Sequence, residues 1–141
     1  MQELRKSKEG EFIYNIWSDN LPADSTPRAV EFLSHMTWRF LIAENGQYFI
    51  TSDNPLFFFQ DMGIGKKLSE VSIPIAKNLA LWTTWRNDLV EGYFPARTRV
   101  VKEINRRIAS ISKQFIFSSF SERWIRTLAD KTIYKLNRIM K

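Results

Sequence analysis

Thr51, Ser52, Asp53 and Asn54 place two hydroxyls, a carboxylate and an amide on four consecutive residues, directly after the apolar Tyr48-Phe49-Ile50 and directly before Pro55. At the end of a strand such a set is suited to holding a ligand, a metal ion or a scissile group. The same four residues also explain themselves as a turn. Asp and Asn side chains accept hydrogen bonds from nearby backbone N–H groups, and Pro55 fixes the exit direction. The turn reading predicts that Asp53→Ala lowers the melting temperature by a few degrees without any metal dependence, whereas the ligand reading predicts lost binding at unchanged stability.

A second constellation is basic. Arg99, Lys102, Arg106 and Lys113 fall in one arc at about 100° per residue, opposite Ile104, Ile108 and Ile111, with Arg97 and Arg107 nearby. Such a face suits weak nucleic-acid binding without sequence preference, since phosphate contacts supply most nonspecific affinity. The alternative is a solvated face with Glu103 paired to Arg106 or Arg107. His35 stands at the end of an expected helix, where a cation or a capping donor is favourable, and no nucleophile accompanies it. Asp53, Asp61 and Glu70 are the carboxylates that neighbouring strand ends can bring together on a divalent ion, but their spacing is not diagnostic, and neither metal nor cofactor is expected. Gly63-Ile64-Gly65-Lys66-Lys67 lacks phosphate-loop spacing and a Ser or Thr after the lysine.

The elements that must position these residues follow from periodicity. Pro27 in a first turn, capped by Asp24 or Ser25, with Val30, Leu33 and Met36 along one side, predicts a helix from Thr26 to His35. Alternation through Trp38, Phe40 and Ile42, then Asn45-Gly46, then Tyr48 to Thr51, predicts a β-hairpin with a type I′ turn. Leu56 to Phe59, Val71 to Ile75 and Leu79 to Thr84 read as further strands, with Pro74 at an edge or bulge. After Pro95 a helix runs to about Ser112, Phe115 to Phe117 is extended, Ser121 caps a helix from Glu122 to about Ala129, and Lys131 to Lys141 continues a helical pattern. The fold class is α+β: a mostly antiparallel sheet of four or five strands packed by about three helices, in one domain over residues 23–141 behind a polar arm over 1–22.

The string Ile50-Thr51-Ser52-Asp53-Asn54-Pro55, with Trp38 in a strand before it and Glu103-Ile104-Asn105 and Phe115-Ile116-Phe117-Ser118 after it, resembles the C-terminal half of the uncharacterised bacterial and phage proteins grouped as domain of unknown function 4238. The resemblance covers about Thr37 to Ser119 and implies no established reaction. Proteins of this group also carry an N-terminal His-x-x-Pro-type motif, for which Met1 to Asn20 has no counterpart, so the resemblance implies a fragment, a split gene product or a subunit with a companion chain.

Composition narrows the chemistry. The chain has 141 residues, no cysteine and a single histidine, which removes disulfides, thiolate metal sites, thiol nucleophiles and any site needing two imidazoles. Twenty-one Lys and Arg against fifteen Asp and Glu leave a net charge of +6, which favours polyanions. No apolar run approaches the roughly 20 residues of a membrane-spanning helix, and Met1 to Glu11 lacks a signal-peptide core, so a cytoplasmic protein without membrane contact is expected. Phe57, Phe58 and Phe59 must face both sides of a strand, which points to an interface and to a homo-oligomer. The expected role is a non-catalytic binding or assembly module, with nucleic acid as the candidate partner of its basic helix; the alternative is a split or degenerate enzyme domain centred on the Thr51–Asn54 loop.

Overall fold

The computed structural model describes residues 26–59 and 61–139. The expected arm and the Asp24 or Ser25 cap lie outside these residues. Helix α1 spans Thr26–His35, as its proline and apolar spacing predict. Seven strands follow: β1 (Thr37–Ala43), β2 (Thr51–Ser52), β3 (Phe57–Phe58), β4 (Glu70–Ala76), β5 (Leu79–Thr84), β6 (Gly92–Ala96) and β7 (Ile116–Phe117). Helix α2 (Thr98–Ile111) lies between β6 and β7, and α3 (Arg123–Ala129) follows β7. The main sheet has the order β3-β4-β5-β1-β6, with every pair antiparallel except β1 with β6. β2 and β7 form a separate antiparallel pair. The molecule is therefore α+β with a five-stranded, mostly antiparallel sheet.

Four expectations about local structure are corrected. Asn45 and Gly46 do adopt positive φ, 57° and 74°, and the Gln47 N–H donates to the Glu44 carbonyl at 3.1 Å, so the turn forms. The hairpin does not, because β5 and β6 already occupy the two edges of β1. Tyr48, Phe49 and Ile50 run instead into the core, where the Phe49 N–H donates to the Lys77 carbonyl. Pro95 does precede α2, but it lies inside β6, a strand the residue pattern did not predict, which has a neighbour on one side alone and so tolerates a residue without an N–H. The N-cap of α3 is Glu122 rather than Ser121, and its side chain makes no capping bond. Residues 131–139, expected to be helical, contain no helix. Pro74 behaves as its chemistry requires: it borders a register shift in β4, beyond the reach of the two-residue β3.

Strand alternation sorts the sheet into two faces. Leu41, Ala43, Ala80, Trp82 and Ala96 meet Val101, Ile104, Ile108 and Ala109 of α2, with Tyr48, Phe49, Ile50 and Leu128 completing that core. On the opposite face Val71 packs with Leu33 and Met36 of α1, together with Leu56 and Ile64. Gly65 lies so close beneath Phe32 that an added Cβ would come within 3.0 Å of the ring.

Candidate functional site

The Thr51–Asn54 loop stitches the end of α2 to β7. Both carboxylate oxygens of Asp53 accept backbone N–H groups, from Lys113 at 2.9 Å and Gln114 at 2.8 Å, and the Asp53 N–H donates to the Phe115 carbonyl. Asn54 donates its side-chain amide to the Ile111 carbonyl at 3.0 Å, capping the last turn of α2, and its own N–H donates to Ser52 Oγ. Thr51 and Ser52 pair with Phe117 and Ile116. Partial desolvation pushes the Asp53 carboxyl up, but the N–H groups of Lys113 and Gln114 outweigh it together and leave the pKa below its ordinary value. Asp53 thus bonds to backbone sixty residues away, where sequence reasoning places its partners in its own turn.

The basic set is rearranged. Arg99 and Lys102 are exposed on α2, and Arg106 is half-buried with Glu103 at 3.4 Å. Lys113 lies beyond the end of α2 at Ile111, so the expected arc on one helix consists of the other three. Arg107, expected near that arc, is fully buried. In exchange, α3 brings Arg123, and the chain after it Lys131, to face Lys102 and Arg106 across a groove of about 750 Å³. Its floor and walls include Tyr48, Val101, Asn105, Trp124 and Leu128, with the Gly46-Gln47 turn at one end. Tyr48 is the hinge of this site. Its hydroxyl donates to Glu122 Oε2 at 2.5 Å, Trp124 Nε1 donates to the same oxygen, and the Phe120 ring meets Tyr48 edge-on at 5.2 Å. The Tyr48 hydrogen bond, with that of Trp124, holds the Glu122 carboxyl below its usual pKa, while burial, with Glu122 beside it, raises the Tyr48 phenol. Asn105 fixes the segment from behind: its carbonyl accepts from the Ile50 N–H and its amide donates to the Tyr48 carbonyl, both at 3.0 Å.

Of a third constellation, sequence reasoning reached the pairing of Glu103 with Arg106 and Arg107 but not its partnership with Glu70. Glu70, at the start of β4, and Arg107, on α2, are both fully buried and meet at 2.6 Å, with Glu103 3.6 Å from Arg107 Nε. Trp82 Nε1 donates to Glu70 at 3.1 Å, Arg107 reaches Ser72 Oγ at 3.3 Å, and the rings of Phe57 and Phe59 lie against the guanidinium. The signal available in the sequence was Glu70 at the head of an apolar strand. Phe57 and Phe59 are used inside the chain, around Arg107, and Phe58 packs against the α1 cluster, so this run supplies no broad exposed surface. Elsewhere, His35 Nδ1 lies 2.8 Å from the Glu31 carbonyl at the end of α1, the capping position expected of it. Among the described residues no three His, Cys, Asp or Glu are grouped to hold a metal ion; of the suggested trio, Glu70 is spent on Arg107. None of the described helices is long and apolar enough to cross a membrane.

Fold and site together define an α+β protein, with a five-stranded sheet and a separate two-stranded pair, whose buried polar groups converge on α2. The chain belongs to the family described as Protein of unknown function (DUF4238), which matches residues 1–122. That match extends past both ends of the Thr37 to Ser119 stretch on which the resemblance rests, and it includes the N-terminal residues that seemed to depart from the family. No curated protein and no solved structure matches the chain.

Proposed function

We propose that this protein is a non-catalytic binding module that takes single-stranded nucleic acid in the groove between α2 and α3. One observation carries the reading: four cations, Lys102, Arg106, Arg123 and Lys131, share a groove with the indole of Trp124, which is 39% exposed. Phosphates need cations along a track, and unpaired bases stack on exposed rings without regard to sequence. Phe120, also exposed and in edge contact with Tyr48, extends the aromatic surface beside the groove. The groove volume lies in the range of about 300–1,000 Å³ that ligand sites occupy. The Thr51–Asn54 loop supports this reading by holding the end of α2 through Asp53 and Asn54.

The test is fluorescence anisotropy of a labelled single-stranded oligonucleotide at low salt. Saturable binding that weakens steeply with added salt, and that falls roughly tenfold or more in the Lys102→Glu, Arg123→Glu double variant, is the expected outcome. Undetectable binding at about 50 mM salt, or affinity indifferent to the double reversal, refutes the reading.

A further inference from the structure

The buried Glu70–Glu103–Arg107 cluster is not closed by the sheet and α2 alone. Residues 137–139 lie over it; the cluster bonds their backbone, while the Ile139 side chain packs against the core around α2. The Asn137 N–H donates to Glu103 Oε1 at 2.7 Å, the Asn137 carbonyl accepts from Arg107 Nη2 at 2.8 Å, and the Ile139 N–H donates to Glu70 Oε2 at 3.1 Å. Donor, acceptor and donor along three consecutive residues meet acceptor, donor and acceptor on three buried charged side chains. Arg138 turns back to the Leu68 carbonyl and to the Phe59 ring, securing the same stretch from its other side.

Two further observations set this segment apart from the core beneath it. Every charged member of the cluster lies within residues 1–122, which match the family, whereas residues 137–139 lie beyond the match. Two buried polar atoms there, Ser69 Oγ and Arg107 Nε, have no hydrogen-bond partner even with the segment in place. Ion pairs buried this deeply add little stability over apolar residues of the same size, so stability alone does not account for this cluster.

We infer that the Glu70–Glu103–Arg107 cluster is a binding site for an extended peptide strand, recognised through its main chain, and that residues 137–139 of the same chain occupy it as an internal ligand. Its ligands are extended polypeptide segments offering the same alternation of N–H and C=O, as in recognition modes where backbone bonds supply affinity. Because the groups recognised are common to every residue but proline, side-chain selection falls to the neighbouring contacts, where Arg138 meets the Leu68 carbonyl and the Phe59 ring.

The experiment keeps the full chain during folding. A specific protease site introduced between Asp130 and Lys131, both exposed after α3, lets residues 131–141 be cut from the folded protein. The expected result is a cut protein that retains its circular dichroism, releases the segment on dilution, and takes up a fluorescein-labelled synthetic peptide of residues 131–141. N-methylation of the Asn137 amide in that peptide, which removes the donor to Glu103, should weaken uptake roughly tenfold or more, since bonds to buried charges are among the stronger kind. Loss of the fold on cutting would make the segment an ordinary part of the core and overturn the inference. So would a segment that neither leaves nor exchanges, or a peptide whose uptake ignores the N-methyl group.

Discussion

Asp53 and Glu122 are both exposed carboxylates held below their usual pKa by hydrogen bonds, and they give the protein an acid-side sensitivity with a definite sign. A carboxyl whose folded pKa is lowered contributes stability above its unfolded pKa and loses it as pH falls through the folded value. The melting temperature should therefore decline on acidification below the ordinary carboxylate range, and the Asp53→Asn variant should show a smaller decline than wild type. An acid limb of identical steepness in the two proteins would show that Asp53 carries none of it. Asp53→Ala at neutral pH should lower melting by a few degrees with no response to magnesium, manganese or calcium, because its oxygens are spent on Lys113 and Gln114.

At the scale of elements, α2 is the beam against which the rest is registered, and its buried polar residues do the registering. Asn105 satisfies one N–H and one C=O of a segment that is not in any sheet, so no ladder replaces it if it is removed. Asn105→Leu should destabilise by about 2–4 kcal/mol, the scale for two buried backbone groups left unpaired, and urea denaturation would measure it. A loss under about 1 kcal/mol would mean that water or a shift of residues 48–50 takes over the two bonds. The same variant should disturb the groove, because Tyr48 stands on that segment and carries the link to Glu122 and Trp124.

For the molecule as a whole, the buried ion pair decides cooperativity. Arg107→Met removes the cation that faces Glu70, leaving a fully buried carboxylate beside Trp82. Such one-sided removal should destabilise by about 3–5 kcal/mol, enough to unfold a marginal domain, whereas Glu70→Gln combined with Arg107→Met should recover much of the loss. Equal losses in the single and double variants would show that the two side chains are not energetically coupled. Self-association is an expectation of the same scale, and it now rests on other residues. Trp38, Ile75 and Tyr93 are exposed on the face of the sheet away from α2, and light scattering that returns a dimer mass weakened by Tyr93→Asp would place a second copy there.

Local chemistry was enough for α1, for the turn at Asn45-Gly46, for β4, β5 and β7 and for the extent of α2, though not for β6, because proline, positive-φ pairs and apolar period act over a few residues. The resemblance on Ile50 to Pro55 likewise named the family from residues adjacent in the chain. Partnership was decided elsewhere. Whether β1 pairs with residues 48–51 or with β5 and β6 depends on competition among segments far apart, which no short window contains. Residues 131–139 carry a helical apolar spacing, yet their backbone groups find stronger partners in Glu103, Glu70 and Arg107 than a short isolated helix provides. The charges of α2 show the same division. Arg106 and Arg107 are neighbours of one type in the sequence, and only the 100° between them on the helix, with Glu70 waiting on the sheet, sends one to the groove and the other into the core.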